Sequence, residues 1–254
     1  MPWRKIAAVA ALTALIAGCY SPAPRPGAAS SAAPAPAAAN LYRIDARRSS
    51  LRILVYRAGP MAALGHDHVI TNDALSGWIR LARPLTASTF RIVVPAASFV
   101  VDDAAARRAA GPDFASTVSA SAKQGTRKHM LGSALLDARR YPLIVVRSIA
   151  IDGEAPRLRA LMAVRVAGHE ARISVPFEFK LGRRRVVASA SFALRQTTLG
   201  LTPYSVMLGA LRVRDEIRLK IAIVAKRRRE HVAWNRFEPV THAMPPTQTY
   251  FISV

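Results

Sequence analysis

Residues 216–225 read Glu216-Ile217-Arg218-Leu219-Lys220-Ile221-Ala222-Ile223-Val224-Ala225. Ile217, Leu219, Ile221 and Ile223 alternate with Arg218, Lys220 and Ala222. Side chains of an extended backbone point to opposite faces in turn, so this stretch has one apolar and one polar face. The same period of two returns upstream. Ile173, Val175, Phe177 and Phe179 alternate with Arg172, Ser174, Glu178 and Lys180. Pro176 interrupts the row of N–H donors there, which places that strand at an edge or gives it a bulge. Leu51–Tyr56, Gly77–Leu81, Phe90–Val94, Leu143–Ser148, Leu158–Val166 and Val186–Leu194 follow the same rule. About eight strands result, joined by Gly, Pro and Asp turns. Asp152-Gly153 and Leu181-Gly182 are the clearest hairpin signals. Such a set predicts an all-β protein, an antiparallel sheet closed into an up-and-down barrel. Its interior holds packed side chains or one ligand.

Two stretches break the alternation. Asp102–Ala110 is rich in Ala and Arg. Gln124–Leu136 spaces Arg127, Met130, Leu131 and Ala134 as a helix does. One or two short helices inserted mid-barrel, covering an opening, are expected.

The N-terminus reads as a processing signal. Arg4 and Lys5 precede an apolar run from Ile6 to Gly18, too short for the roughly 20 residues that cross a bilayer. Leu15-Ile16-Ala17-Gly18-Cys19 resembles a lipobox, in which the Cys thiol takes a diacylglycerol and becomes the new N-terminus. Residues 1–18 are thus a lipoprotein signal peptide and Cys19 the lipid anchor. The chain is expected to be exported and anchored in the cell envelope, facing the periplasm. Tyr20, rather than an Asp, follows the Cys, which leans toward the outer membrane. Cys19 is the only cysteine, so no disulfide forms within the chain and Cys-ligated zinc or iron–sulfur centres are excluded. Residues 19–40, rich in Pro, Ala and Ser, read as a disordered tether. Residues 41–225 form the barrel domain, and 226–254 a basic, disordered tail that begins Lys226-Arg227-Arg228-Arg229.

The formal net charge is +22, and +20 (22 − 2) once Arg4 and Lys5 leave with the signal. So basic a chain raises nucleic-acid binding. The arginines are nevertheless spread along alternating strands without interleaved aromatic residues, and nucleic acid is excluded as partner. Solvated strand faces, or affinity for anionic lipid head groups, explain them equally well.

Several ordered motifs resemble one family. Tyr42-x-Ile44-Asp45 with Ser49-Ser50-Leu51 is similar to the opening strand of YceI-like domains. Arg127-x-x-Met130 and Leu136-Asp137-Ala138-x-x-Tyr141-Pro142-x-Ile144 resemble that family's helix and following strand. Phe192-x-Leu194-Arg195, Gly200-Leu201-x-Pro203-Tyr204-Ser205, Leu208-Gly209-Ala210-Leu211 and Asp215-Glu216 resemble its C-terminal region. The resemblance runs from Leu41 to Ala225. It implies a lipocalin-like barrel whose apolar interior holds a polyisoprenoid, such as a quinone tail or a polyprenyl phosphate. Many relatives are periplasmic and dimeric, which makes a homodimer an expectation. Relatives often carry an Arg-His pair and then Gly-Arg-Phe; here the region reads Leu64-Gly65-His66-Asp67-His68, the mark of a divergent branch.

His66-Asp67-His68 is the most distinctive polar cluster. On a strand, residues two apart share a face, so the imidazoles converge. That fits ligand binding at the barrel mouth, metal ligation by His66 and His68, or a structural role in which Asp67 caps a turn. A metal needs a further ligand, and His129 and His169 are the other histidines of the domain. Arg195 suits a charge-assisted bond to an anionic head group or a solvated place on the rim. Tyr204 suits a ligand bond or closure of the barrel end. Arg127 and Met130 are expected to fix the helix over the core, and Trp78 to pack at core or rim. There is no Gly-x-Ser-x-Gly elbow, HExxH or phosphate loop, so no catalytic residue is expected. Three readings remain open: a membrane-anchored lipid carrier, a metal- or haem-associated redox partner using His66 and His68, and a structural envelope protein with a filled barrel.

Overall fold

A computed structural model describes residues 40–227. The signal segment, Cys19, residues 20–39 and residues 228–254 lie outside the described residues.

Eight antiparallel strands close on themselves in chain order. The first three are interrupted. β1 comprises Asn40–Ile44 and Ser50–Val55, either side of a 3-10 turn at Ala46–Arg48. β2 comprises His68–Asn72 and Ser76–Leu81, and β3 comprises Thr89–Pro95 and Val100–Val101. The other five run unbroken: β4 (Leu143–Glu154), β5 (Arg157–Val166), β6 (His169–Leu181), β7 (Arg185–Arg195) and β8 (Glu216–Arg227). β8 pairs with β1 twice, Arg218–Ala222 against Ser50–Leu54 and Ala225–Arg227 against Tyr42–Ile44, and this seam closes the barrel. Asn40, Lys226 and Arg227 are therefore strand residues, one position before and two beyond the domain limits expected from composition. The Tyr42–Arg227 pairing extends the ladder past the point where apolar alternation stops.

Each of the eight expected strands is present, and the expected alternation sets the inward face. Along β6, Val175 and Phe179 are buried while Arg172, Ser174, Glu178 and Lys180 are exposed. Burying each such side chain contributes about 1.5–3 kcal/mol, so a one-residue slip, which would turn the whole set outward, is strongly disfavoured.

Register also corrects two turns. The hairpin expected at Asp152-Gly153 closes instead at Ala155-Pro156, with Glu154 opposite Arg157 and Gly153 opposite Leu158 inside the ladder. A turn at Asp152-Gly153 would set Leu158 opposite Arg147 and rotate Leu158, now 5% exposed, out of the core. The hairpin expected at Leu181-Gly182 closes two residues later, at Arg183-Arg184: Leu181 pairs with Val186 in the ladder and the Gly182 N–H donates to the Arg185 carbonyl. Pro176 faces Arg159 of β5, while β6 pairs with β7 only over Glu178–Leu181. Beyond that short ladder β6 has no neighbour in register on its β7 side, so the missing N–H leaves no ladder bond unmade.

Two helices are inserted between β3 and β4. α1 spans Ala104–Ala110, and Asp103 caps it by accepting from the Ala106 N–H. α2 spans Ala120–Leu131, with Ser119 accepting from the Ala122 N–H. The second helix begins four residues before the expected stretch and ends five earlier, because residues after Leu131 bond back on themselves: Leu136 N–H donates to Met130 and Asp137 N–H to Gly132. A small three-stranded sheet at the same end joins Ser205–Val206, Leu211–Val213 and Arg57–Ala58.

Candidate functional site

The barrel is not filled. A cavity of about 270 Å³ runs through it. Every strand contributes, for example Ile53, Ile79, Ile92, Val146, Met162 and Leu219. Only Ser88, Thr89, Ser189 and Gln196 are polar among its lining residues, and none is charged. The β2–β3 turn supplies Leu85 and Ser88 at one end. At the other, Phe99 comes from the break within β3, Met130, Leu135 and Leu136 from the insert between β3 and β4, and Leu199 and Leu201 from the chain after β7.

The insert is held by directed bonds as well as by packing. Arg127 Nη2 donates to the Ala97 carbonyl at 2.6 Å and Nε to Phe99 at 3.3 Å. Met130, one turn away, is 6% exposed and faces the cavity. This is the pair expected to fix the helix over the core.

Below α1 lies a buried ionic network. Asp102 follows β3 with φ 54°, a left-handed conformation that Asp tolerates better than most residues. Its side chain is fully buried. Oδ1 accepts from the Val69 N–H at 2.9 Å and from Arg107 Nη1 at 2.7 Å, and Oδ2 stands 2.6 Å from His68 Nδ1. Arg107, 6% exposed, also donates to the carbonyls of Asp67 and Ser116. Burial pushes the Asp102 carboxyl up. Hydrogen bonds from His68, Val69 and Arg107 outweigh it and hold the group below its ordinary 3.8. An ionised Asp102 only accepts, so His68 Nδ1 is the donor. His68 Nε2 then lies 3.4 Å from Thr126 Oγ1 of α2. One imidazole thus links β2, the end of β3 and the second helix.

The polar residues singled out from sequence are placed as follows. β2 begins at His68, so His66 precedes the strand, and the two rings lie 6.4 Å apart at 70°. Asp67 Oδ1 accepts from the Arg57 N–H, tying the segment to the small sheet. Arg195 is exposed at the end of β7. Tyr204, 40% exposed, packs its ring 4.8 Å from that of His129. Trp78 points away from Ile79 and lies beneath the Arg80 guanidinium. None of His66, Asp67, His68, Arg195 and Tyr204 lines the cavity. His169 packs against Gly200 rather than joining the histidine pair. Among the described residues, no three His, Cys, Asp or Glu side chains gather closely enough to hold a metal ion.

Asp102 and Arg107 carry the network and are not evident in the sequence. Asp102-Asp103 ahead of an Ala- and Arg-rich run signals a helix start, and Asp103 is that cap. Nothing local distinguishes Asp102, whose three partners come from elsewhere in the fold.

The profile of the YceI-like domain family matches residues 42–225. Among solved structures, BcnA of Burkholderia cenocepacia superposes with a TM-score of 0.54 at 13% identity, covering 72% of this chain and 99% of that one. A polyisoprenoid binding domain from Saccharophagus degradans, implicated in plant cell wall breakdown, gives 0.49 at 12% identity over 74% and 98%. The YceI protein of Campylobacter jejuni gives 0.43 at 14% identity over 63% and 84%. No sequence among the curated proteins matches this chain.

Proposed function

The chain belongs to the YceI-like family, and from that premise we propose that it is a binding protein that shelters a long apolar lipid inside its barrel. One observation carries the reading. The interior is open, and its lining is apolar from end to end with no charged side chain. Its 270 Å³ falls just under the roughly 300 Å³ at which small-molecule sites begin. Apolar surface leaving water gains about 25 cal/mol per Å², so a hydrocarbon chain is what such walls select. A polyisoprenoid, as a quinone or a polyprenyl phosphate, is the ligand class that the family resemblance implies. Ser88 and Thr89 at one end, and Gln196 at the other, are the polar groups available to its head group.

We propose further that Cys19 is acylated after removal of residues 1–18. The tether would then hold the barrel at the envelope membrane, on the periplasmic side. The Gly65-His66-Asp67-His68 segment marks a divergent branch in which His68 braces the insert, through Asp102 and Thr126.

Native mass spectrometry of protein produced in the periplasm, followed by organic extraction, tests the carrier reading. One lipid per barrel is expected. Protein that leaves the cell empty, and stays empty when incubated with polyprenyl phosphate or quinone, would overturn it.

A further inference from the structure

Both ends of the described chain lie at one end of the barrel. β1 enters at Asn40, opposite Leu81, and β8 leaves at Arg227, opposite Tyr42. The β6–β7 turn, Gly182-Arg183-Arg184-Arg185, is at this same end, and the Arg227 N–H donates to the Arg184 carbonyl. Arg48, Arg183, Arg184, Arg185, Lys226 and Arg227 together line one exposed concavity of about 630 Å³. The acid within the cluster is Asp45, already bonded to Lys226 at 2.7 Å and near Arg48 at 3.9 Å. Leu181, 49% exposed, borders the arginines. In sequence Arg228 and Arg229 extend the run.

We propose that this basic end is a docking surface for an anionic membrane. Six cations around a concave patch, with one acid to offset them, attract phosphate-bearing head groups collectively. No folded-state role within the chain accounts for the three consecutive arginines of the turn. Position supplies the second argument. The chain before Asn40, which carries the anchor proposed at Cys19, joins the barrel at this end, so in an anchored molecule these arginines sit next to the tether and within its reach of the lipid surface. The fold thus brings Arg48, Lys226 and Arg227, distant in sequence, beside the arginines of the β6–β7 turn. The inference concerns that pole and not what the cavity holds, so the vesicle result and the extraction result above can fail separately.

The test uses the chain from residue 19 with Cys19→Ser, which removes acylation and leaves every described residue in place. Cosedimentation is measured with vesicles of phosphatidylglycerol and phosphatidylethanolamine, and with vesicles of phosphatidylcholine. Binding to the anionic vesicles alone, abolished by high salt, is expected. Arg183→Glu/Arg184→Glu/Arg185→Glu should weaken it on the order of a hundredfold. Arg108→Glu/Arg139→Glu/Arg140→Glu, equal in charge and at the opposite end, should weaken it far less. Equal losses in the two variants would show a net-charge effect and overturn the proposal. So would binding lost only with Leu208→Asp at that opposite end, displacement by inorganic phosphate, or preference for single-stranded nucleic acid. Circular dichroism of each variant verifies that the barrel is retained.

Discussion

His68 Nδ1 stands 2.6 Å from Oδ2 of Asp102, a residue 34 positions further along the chain, and the carboxylate it meets is fully buried. The same carboxylate takes the Arg107 guanidinium and the Val69 N–H. Through these bonds the helical insert is fastened to the barrel wall.

Asp102→Asn removes the charge and keeps both the shape and tolerance of the left-handed backbone. It leaves Arg107 buried without its counter-ion. Removing one partner of a buried pair typically costs about 3–5 kcal/mol. The urea midpoint should fall accordingly with an unchanged m value, and an unaltered midpoint would show that the network adds little.

The pH dependence follows from the sign of the Asp102 shift. Its folded pKa lies below the ordinary 3.8, so the unfolded chain takes up the proton first as pH falls. The stabilisation is fully present above the unfolded value and is lost as pH drops through the folded one. Urea midpoints measured from pH 6 downward should decline on this acid limb. The decline should be shallower in Asp102→Asn, and parallel curves for the two proteins would contradict the assignment.

Arg127→Ala cuts the bonds from α2 to Ala97 and Phe99 while leaving Met130 over the cavity. Hydrogen exchange should accelerate in residues 120–131 and leave β5 to β8 unchanged. Protection that falls equally everywhere would mean that the helix and barrel open together.

Ala188→Phe projects a ring into the cavity from β7. Overpacking of this kind costs roughly 1–3 kcal/mol, which a hollow interior absorbs in part. Co-purifying lipid should drop severalfold while the barrel stays folded. Undiminished lipid would place the ligand elsewhere.

Gly77, with φ 131°, lies in β2 opposite Ile92 of β3. A Cβ there would overlap the Arg91 carbonyl oxygen, a ladder atom that cannot retreat without breaking the sheet. Gly77→Ala should destabilise by about 3 kcal/mol, from backbone strain and steric overlap together. A shift in thermal midpoint near zero would refute this.

The strands and their inward faces were legible because a barrel wall is half-buried, and its side chains must alternate whatever the rest of the chain does. Ile217 to Ile223 and Ile173 to Phe179 declare their inner face by composition alone. The basic pole was half-legible: Arg183, Arg184 and Arg185 are plain in the sequence. Their nearness to Arg48 and Lys226 depends on β8 pairing with β7 on one side and β1 on the other.

An all-β meander of eight amphipathic strands with a helical insert and an apolar interior can be read from the chain alone, since local periodicity encodes each of these. The turn after β4 at Ala155-Pro156, the open interior and the service of His68 to Asp102 rather than to the cavity follow from the assembled fold. Register, volume and ion pairing are sums over residues far apart in the chain. The His68–Asp102 contact spans 34 residues and Ser49 bonds to Val224 across 175, separations over which no local pattern carries information.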